Sequence, residues 1–320
     1  MAQPTSSDVH VNRPLTNLSI AYIQNHDNFI ADKVFPAIPV DKQTDIIRTY
    51  TKNDWFRDEA KPRASGTESA GSGYNITSTT TYACIPNAIH KDIDKYTRAN
   101  ADDGINLDSE ATEFVTQRLL VRKERAWATN YFTTSIWGTD VTGGTDFTLW
   151  STYATSTPIA DVETGKAAVL ASTGYLPNTL VLGYDVFKSL KNHPDFVDRF
   201  KYTSSDSVTA DMMAGILDVE RVLVAKSVYA TNVEGATGAY SFVHGKNALL
   251  CYSAPRPSLL SVSAGYTFLW RGVSDGMGAT IGIKRFPLSH LGVDRVEGEV
   301  AFDYKLIGSD LGYFFASAVA

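Results

Sequence analysis

The chain has 320 residues, 43% hydrophobic and 20% charged, a composition that speaks against disorder and leaves room for one large domain or two ordinary ones. Its 29 basic and 35 acidic residues give a net charge of −6 and an isoelectric point near 5.5. A surface built throughout to grip nucleic acid would need the opposite balance, although a local basic patch is compatible with it.

Met1 to about Gln24 is polar with isolated apolar residues and reads as an extended arm. It lacks the basic-then-apolar order of a signal peptide, and no apolar run in the chain approaches the about 20 residues of a membrane helix. The tripeptides at Asn17 and Asn75 match a glycosylation pattern that has no meaning without secretion. The sequence reads as a soluble protein made inside the cell. The two cysteines, Cys84 and Cys251, have no zinc-motif partners and read as small apolar side chains in a reducing compartment.

A strand-and-turn region punctuated by Pro36 and Pro39 follows the arm. Thr44 to Lys52 and Tyr74 to Ile85 then have the β-branched and aromatic content of strands, with Tyr74, Ile76, Tyr82 and Cys84 on one face of the second. Between them "RDEAKPRASGTESAGSG" reads as the tip of a long hairpin. A lone two-stranded hairpin is marginal in water. Ordering it costs roughly 1–2 kcal/mol per residue, some tens of kcal/mol over the stretch, with little apolar surface to offset that. Either the stretch is disordered or other chains supply what it lacks.

"LDSEATEFVTQRLLVRKERAWATNYF" is the clearest helix, with Asp108 as the expected N-cap and Glu110 and Glu113 in the first turns. Ala111, Phe114, Val115, Leu119, Ala126 and Trp127 form its apolar stripe. Arg118, Arg122 and Arg125 follow on another face, either a solvated face or a cationic strip for a neighbour. After a Gly/Thr-rich break the pattern turns α/β. "PIADVETGKAAVLAST", "YDVFKSLKNH" and "SVTADMMAGILD" read as helices; "PNTLVLG", "ERVLVAKSVY", "NALLCYSA", "AGYTFLWRG" and "ATIGIKRF" read as strands. The final "VDRVEGEVAFDYKLIGSDLGYFFASAV" reads as two strands joined by a turn at "GSD".

No chemistry is legible. Gly272-Val-Ser274-Asp-Gly276 satisfies the G-x-S-x-G pattern, but a strand follows it where a nucleophile elbow needs a helix. No acid lies between Ser274 and the only downstream histidine, His290, so a hairpin turn is expected. Gly276-Met-Gly278 lacks the rest of a phosphate loop, and Asp102-Asp103-Gly104 lacks the other ligands of a calcium loop. The six histidines are scattered without metal-ligand spacing. The expectation is no enzyme, no metal and no cofactor.

The order of elements is informative in itself. An arm, an unsupported hairpin, a long helix, an α/β domain and closing strands together resemble the major capsid proteins of tailed bacteriophages, the α+β Hong Kong 97-type fold. Thr157 to Thr203 resembles the helix–strand–helix that opens the family's axial domain, and "VEGEVAFDYKLIGSDLGYFF" resembles its closing peripheral hairpin. The resemblance implies an N-terminal arm (1–24), a first peripheral segment (25–43), an extended loop (44–85) lying across an adjacent subunit, and a peripheral segment (86–157) with a spine helix at 108–132. It further implies an axial domain (158–286) and peripheral closing strands (287–320). Trp55, Phe56, Arg57 and Arg63 are the expected inter-subunit anchors, because aromatics and arginine concentrate in interface cores; ordinary packing within one chain is the competing reading for Trp55. Lys61, Tyr74, Arg118 and Arg122 complete the expected contacts.

The implied partners are further copies of the chain in pentamers and hexamers of an icosahedral shell, a portal, a decoration protein and non-specifically packaged double-stranded DNA, with no membrane. Many relatives begin with a long scaffolding segment; the arm here starts almost at Met1, which points to a separate scaffolding protein. Lys52 and Lys61 could donate to isopeptide cross-links, but no asparagine partner or assisting acid is identifiable and none is expected. The implied location is the virion, assembled in the host cytoplasm. An encapsulin-like compartment and an ordinary α/β enzyme are the alternatives.

Overall fold

The computed structural model describes residues 23–101, 106–200, 208–257, 261–273 and 281–320. The arm before residue 23, Asp102-Asp103-Gly104 and the Ser274–Gly276 part of the G-x-S-x-G match lie outside the described residues. In chain order, helix α1 (Ala31–Val34) and strand β1 (Ala37–Val40) lead to hairpin strands β2 (Thr44–Tyr50) and β3 (Ile76–Ala83), with the one-turn α2 (Lys52–Trp55) between them. Strand β4 (Ile85–Asp94) and α3 (Lys95–Asn100) precede the long α4 (Leu107–Tyr131). The α/β run is β5 (Thr139–Thr142), α5 (Pro158–Thr173), β6 (Thr179–Gly183), α6 (Tyr184–Lys191), α7 (Pro194–Phe200), α8 (Ala210–Leu217) and β7 (Arg221–Ala225). A small hairpin of β8 (Val228–Ala230) and β9 (Tyr240–Phe242) comes next. The chain closes with β10 (Ala248–Cys251), β11 (Gly265–Trp270), β12 (Gly282–Leu288), β13 (Val293–Leu306) and β14 (Gly312–Ala316).

Two five-stranded sheets organise these elements. The first is built on the 14-residue β13, which pairs with β4, β11 and β12. Phe302 lies opposite both Leu269 of β11 and Ile85 of β4, so those strands flank β13 on opposite edges. The second runs β5-β14-β10-β6-β7. The expected closing hairpin is therefore corrected: β13 and β14 belong to different sheets. Every residue of β14 is buried, so the strand needs both faces covered. The second sheet provides this, with helices against one face and α4 against the other. The boundaries at 158–286 and 287–320 likewise do not follow the sheets, since β11 and β12 join the first sheet and β5 and β14 the second.

Helix α4 joins the two layers. Its Val115 and Leu119 face β13 at Gly298, while Trp127, Tyr131 and Phe132 share one core with Phe35 and with Phe314 of the second sheet. The Phe35 and Tyr131 rings meet edge-on at 4.8 Å, and those of Phe132 and Phe314 at 5.5 Å. A separate core lies under α5 to α8, where Ile159, Val162, Leu190, Phe196 and Met213 pack with Leu180, Leu182, Leu250 and Phe315. Helix α5 ends where the sequence places its end, on Gly174 at φ 75°, whose N–H bonds the Leu170 carbonyl.

Gly298 sets how closely α4 approaches β13. A Cβ there would fall inside the Val115 side chain and 2.9 Å from Leu119 Cδ1. Gly298→Val is expected to destabilise the subunit by about 3 kcal/mol through overpacking, read as a lower urea midpoint.

Two details of α4 differ from the sequence reading. Its N-cap is Asn106, whose Oδ1 accepts the Ser109 N–H at 3.1 Å; Asp108 is held instead by a bidentate pair with Arg98 at 2.8 and 3.0 Å. Phe114 is exposed, and the buried stripe continues through Lys123 and Glu124. Those two charges fasten the segment before β1. The Lys123 ammonium pairs with Asp32, and the Glu124 carboxylate accepts the N–H groups of Ile30 (3.0 Å) and Ala31 (2.9 Å) and the Ser227 hydroxyl (3.3 Å).

Candidate assembly interface

The hairpin is rooted and then leaves the body. At its base, Tyr82 stacks on Phe268 at 4.5 Å, Cys84 is fully buried, and Asp303 accepts the Ala83 N–H at 2.9 Å. The alternation predicted for Tyr74, Ile76, Tyr82 and Cys84 is thus buried only in its second half; Tyr74 and Ile76 are exposed. From residue 60 to residue 79 every residue is exposed. Within its own chain this stretch has no core.

At the turn of the hairpin the structure brings together two of the predicted contact residues. Trp55 and Tyr74 lie 5.8 Å apart ring to ring, each packs against Tyr50 (6.0 and 5.8 Å), and Trp55 and Tyr74 remain 55% and 60% exposed. Asp54 knits this cluster, accepting from the Asn75 backbone N–H at 2.9 Å and from Asn75 Nδ2 at 3.1 Å. Phe56, 60% exposed, points its ring toward Gly174 at the end of α5, and Lys52 forms an ion pair with Asp310. Arg57 sits 3.8 Å from Asp54 and 3.7 Å from Glu59, and the Arg63 Nε–H bonds the Thr67 carbonyl, so both arginines shape the loop itself. Lys61 is exposed. Arg118 and Arg122 stand apart from this cluster, on the exposed side of α4. Sequence reasoning missed Tyr50, which falls on the first strand and pairs with the second only through the hairpin register.

One constellation has the outward form of a hydrolytic triad. Ser156 Oγ lies 2.8 Å from His193 Nε2, and Asp195 Oδ2 is 3.8 Å from Nδ1. The hydrogen bonds assign it another role. The Asp195 N–H donates to Nδ1 at 3.1 Å, so the ring proton is on Nε2 and is given to Ser156, whose hydroxyl passes its own proton to the Thr152 carbonyl at 2.8 Å. A general base needs the reverse tautomer. Burial also pushes the His193 pKa down, and Ser156 is itself buried. Among the described residues no group of His, Cys, Asp and Glu could hold a metal ion, and no helix is long and apolar enough to cross a membrane. Cys84 and Cys251 are unpaired and buried, their thiols pushed up to about 12 chiefly by desolvation.

No family model matches the chain. It is similar to the major capsid protein of Burkholderia phage BcepMu, 24% identical over 94% of both chains, and to that of Pseudomonas phage JBD67, 27% identical over 96% of both. Among solved structures it is similar to a phage-related protein from Bordetella bronchiseptica, with a TM-score of 0.67, 24% identity and coverage of 92% of this chain and 94% of that one. The mature capsid of bacteriophage PhiM1 gives a TM-score of 0.62 at 10% identity, covering 97% and 92%. The holo-SrpI encapsulin complex of Synechococcus elongatus gives 0.58 at 9%, covering 100% and 96%. The fold is of the Hong Kong 97 type, and over nearly its whole length the chain is similar to the major capsid proteins of these phages.

Proposed function

We propose that many copies of the chain assemble through pentamers and hexamers into a closed icosahedral head shell around double-stranded DNA. The observation that carries this reading is the hairpin: a stretch exposed at every position from 60 to 79, leaving the body beside exposed Trp55, Phe56 and Tyr74. In this reading the hairpin lies across a neighbouring copy, and its ordering cost is offset there, as in large obligate interfaces. Trp55, Phe56 and Tyr74 are the anchors, with Arg57, Lys61 and Arg63 forming the polar rim of the same contact.

The division of labour follows the two sheets. The arm (1–24), the first sheet with α4, and the hairpin (44–85) form the peripheral part, and the second sheet with α5 to α8 forms the axial part near the symmetry axes. A scaffolding protein, a portal and a decoration protein are the further partners, and the shell is built in the host cytoplasm and ends in the virion. Negative-stain microscopy of the purified protein tests the reading. Angular shells on the order of tens of nanometres across are expected, and a uniform particle of one to four subunits would overturn it. Shells that copurify with a protein cargo and never with DNA would move the assignment to an encapsulin-type compartment.

A further inference from the structure

Charge on α4 divides along its length, with Asp108, Glu110 and Glu113 in its first two turns and the basic residues after them. From Phe114 to Tyr131 the only acid is Glu124, and both it and Lys123 are buried. The exposed charges on that stretch are Arg118, Arg122 and Arg125. Beside them, β4 contributes Lys91 on its α4-facing side. Its ammonium lies 5.5 Å from the centre of the Phe114 ring, which Arg118 also covers at 5.0 Å. The Arg122 Nε–H bonds Asn87 Oδ1 at 3.1 Å, and the Arg125 guanidinium lies 4.5 Å over the Tyr229 ring. Among the described residues none of these four cations has a carboxylate within 4.0 Å, whereas Arg98, Arg285 and Arg295 all do. Aromatic and amide contacts hold the four side chains in place without neutralising them.

The other face of the same sheet is different. Gly298 looks toward α4, so the alternating Glu297 and Glu299 look away from it, in company with Asp92 and Arg295. The subunit therefore presents an unneutralised cationic side and a charge-mixed side, although the whole chain is acidic.

We propose that the exposed side of α4, through Lys91, Arg118, Arg122 and Arg125, binds the phosphate backbone of double-stranded nucleic acid without reading bases, and so faces the interior of the shell. The inference rests on the shell reading. The strip favours a polyanion over a protein partner because its one exposed large apolar side chain, Phe114, is already covered by two cations. A protein interface would want a desolvated apolar centre, which counterion release does not need. Four cations per subunit give a weak, strongly salt-dependent contact. Repeated over a shell, such contacts hold a genome by number while each releases readily.

The test titrates dissociated full-length subunits against a labelled 30-base-pair duplex from 50 to 200 mM salt, and images the same preparations for shells. A slope of log affinity against log salt of about −3.6 is expected from four phosphate contacts, a loss of about 150-fold over that range. K91A/R118A/R122A/R125A should lose nearly all of the slope, and R118K/R122K/R125K should keep it, since a point charge suffices for phosphate. Absence of salt-dependent binding in the wild type, or an unchanged slope in the alanine variant, overturns the proposal. So does tighter binding of polyglutamate than of duplex. If shells form and the slope is absent, the strip assignment falls while the shell reading stands. If no shells form, the shell reading falls, and with it the interior placement.

Discussion

Replacing Trp55 and Phe56 together by alanine is expected to leave the subunit folded and stop it from assembling. Both side chains are more than half exposed, and neither belongs to a core cluster. Their loss should move subunit stability by no more than about 0.5 kcal/mol, the range for surface positions. In an interface the same two residues act as anchors, each worth about 2 kcal/mol or more when truncated. Together that weakens each pairwise contact by roughly 1,000-fold. A shell multiplies the loss, because every subunit makes the contact and receives it. Sedimentation at a concentration where the wild type forms shells should show the variant as slow, soluble subunits with an unchanged urea midpoint. Shells forming at the same threshold would remove the two aromatics from the interface.

The second large effect is a contribution of Glu124 to stability whose pH dependence runs opposite to ordinary acid denaturation. Burial pushes the Glu124 carboxyl up to about 7, against an ordinary value of 4.5, even though the N–H groups of Ala31 and Ile30 and the Ser227 hydroxyl pull it down. Asp32 nearby adds to the rise. The other groups facing it are Lys123, whose pKa burial lowers, and His244, which burial pushes down to about 3 and keeps neutral. His244 Nε2 lies 3.6 Å from Glu124 Oε1, and neither ring nitrogen has another partner among the described residues. A protonated Glu124 faces that vacant acceptor.

Because the folded state holds this proton more tightly than the unfolded state, the stabilisation is complete below about pH 4.5 and is lost as pH rises through about 7. The size is roughly 3 kcal/mol. Asp92 and Asp108, whose arginine partners hold their carboxyls below the usual range, act the other way but only in more acid solution. His244, held neutral by burial against an ordinary value of 6.5, acts the other way over the same range, its contribution being lost as pH falls below about 6.5. Urea unfolding of dissociated subunits should therefore show only a small net difference between pH 5 and pH 8. Glu124→Gln should remove the Glu124 part and leave stability lower at pH 5 than at pH 8 by about 2 kcal/mol, while the amide keeps an acceptor for the Ala31 N–H and offers a donor toward His244. Glu124→Leu leaves the N–H groups of Ile30 and Ala31 without an acceptor and should cost about 2–4 kcal/mol at every pH. A glutamine variant with the wild-type pH profile would show that another group sets it.

What the sequence made legible divides by range. Local signals held: α5 spans the segment read as a helix and stops at Gly174, and β6 occupies "TLVLG". The hairpin of β2 and β3 follows the two β-branched runs, although the first ends at Tyr50, where Lys52–Trp55 turns helical. Signals that depend on distant partners were not legible. Lys123 and Glu124 occupy stripe positions that a pattern reading assigns to a charged face; their partners Asp32, Ile30, Ala31 and Ser227 lie about a hundred residues away in sequence. Phe114 fitted the apolar stripe but is covered by Lys91 and Arg118 instead of the core. Strand β4 had no strand signature, since Pro86, His90, Lys91 and Asp92 belong to a pattern that only pairing with β13 makes extended. Nor does a turn at "GSD" say which sheet the next strand will enter. The candidate site was legible as a shortage of apolar side chains, and its geometry was not: the Tyr50–Trp55–Tyr74 cluster requires the hairpin register to exist first.

Hydrogen exchange at backbone amides 60–79, compared between dilute dissociated subunits and assembled shells, tests most directly whether this hairpin takes its stability from neighbouring copies. Exchange near the unprotected rate in the subunit and slowing of at least about 100-fold in the shell is the predicted result. Strong protection already present in the isolated subunit would contradict it.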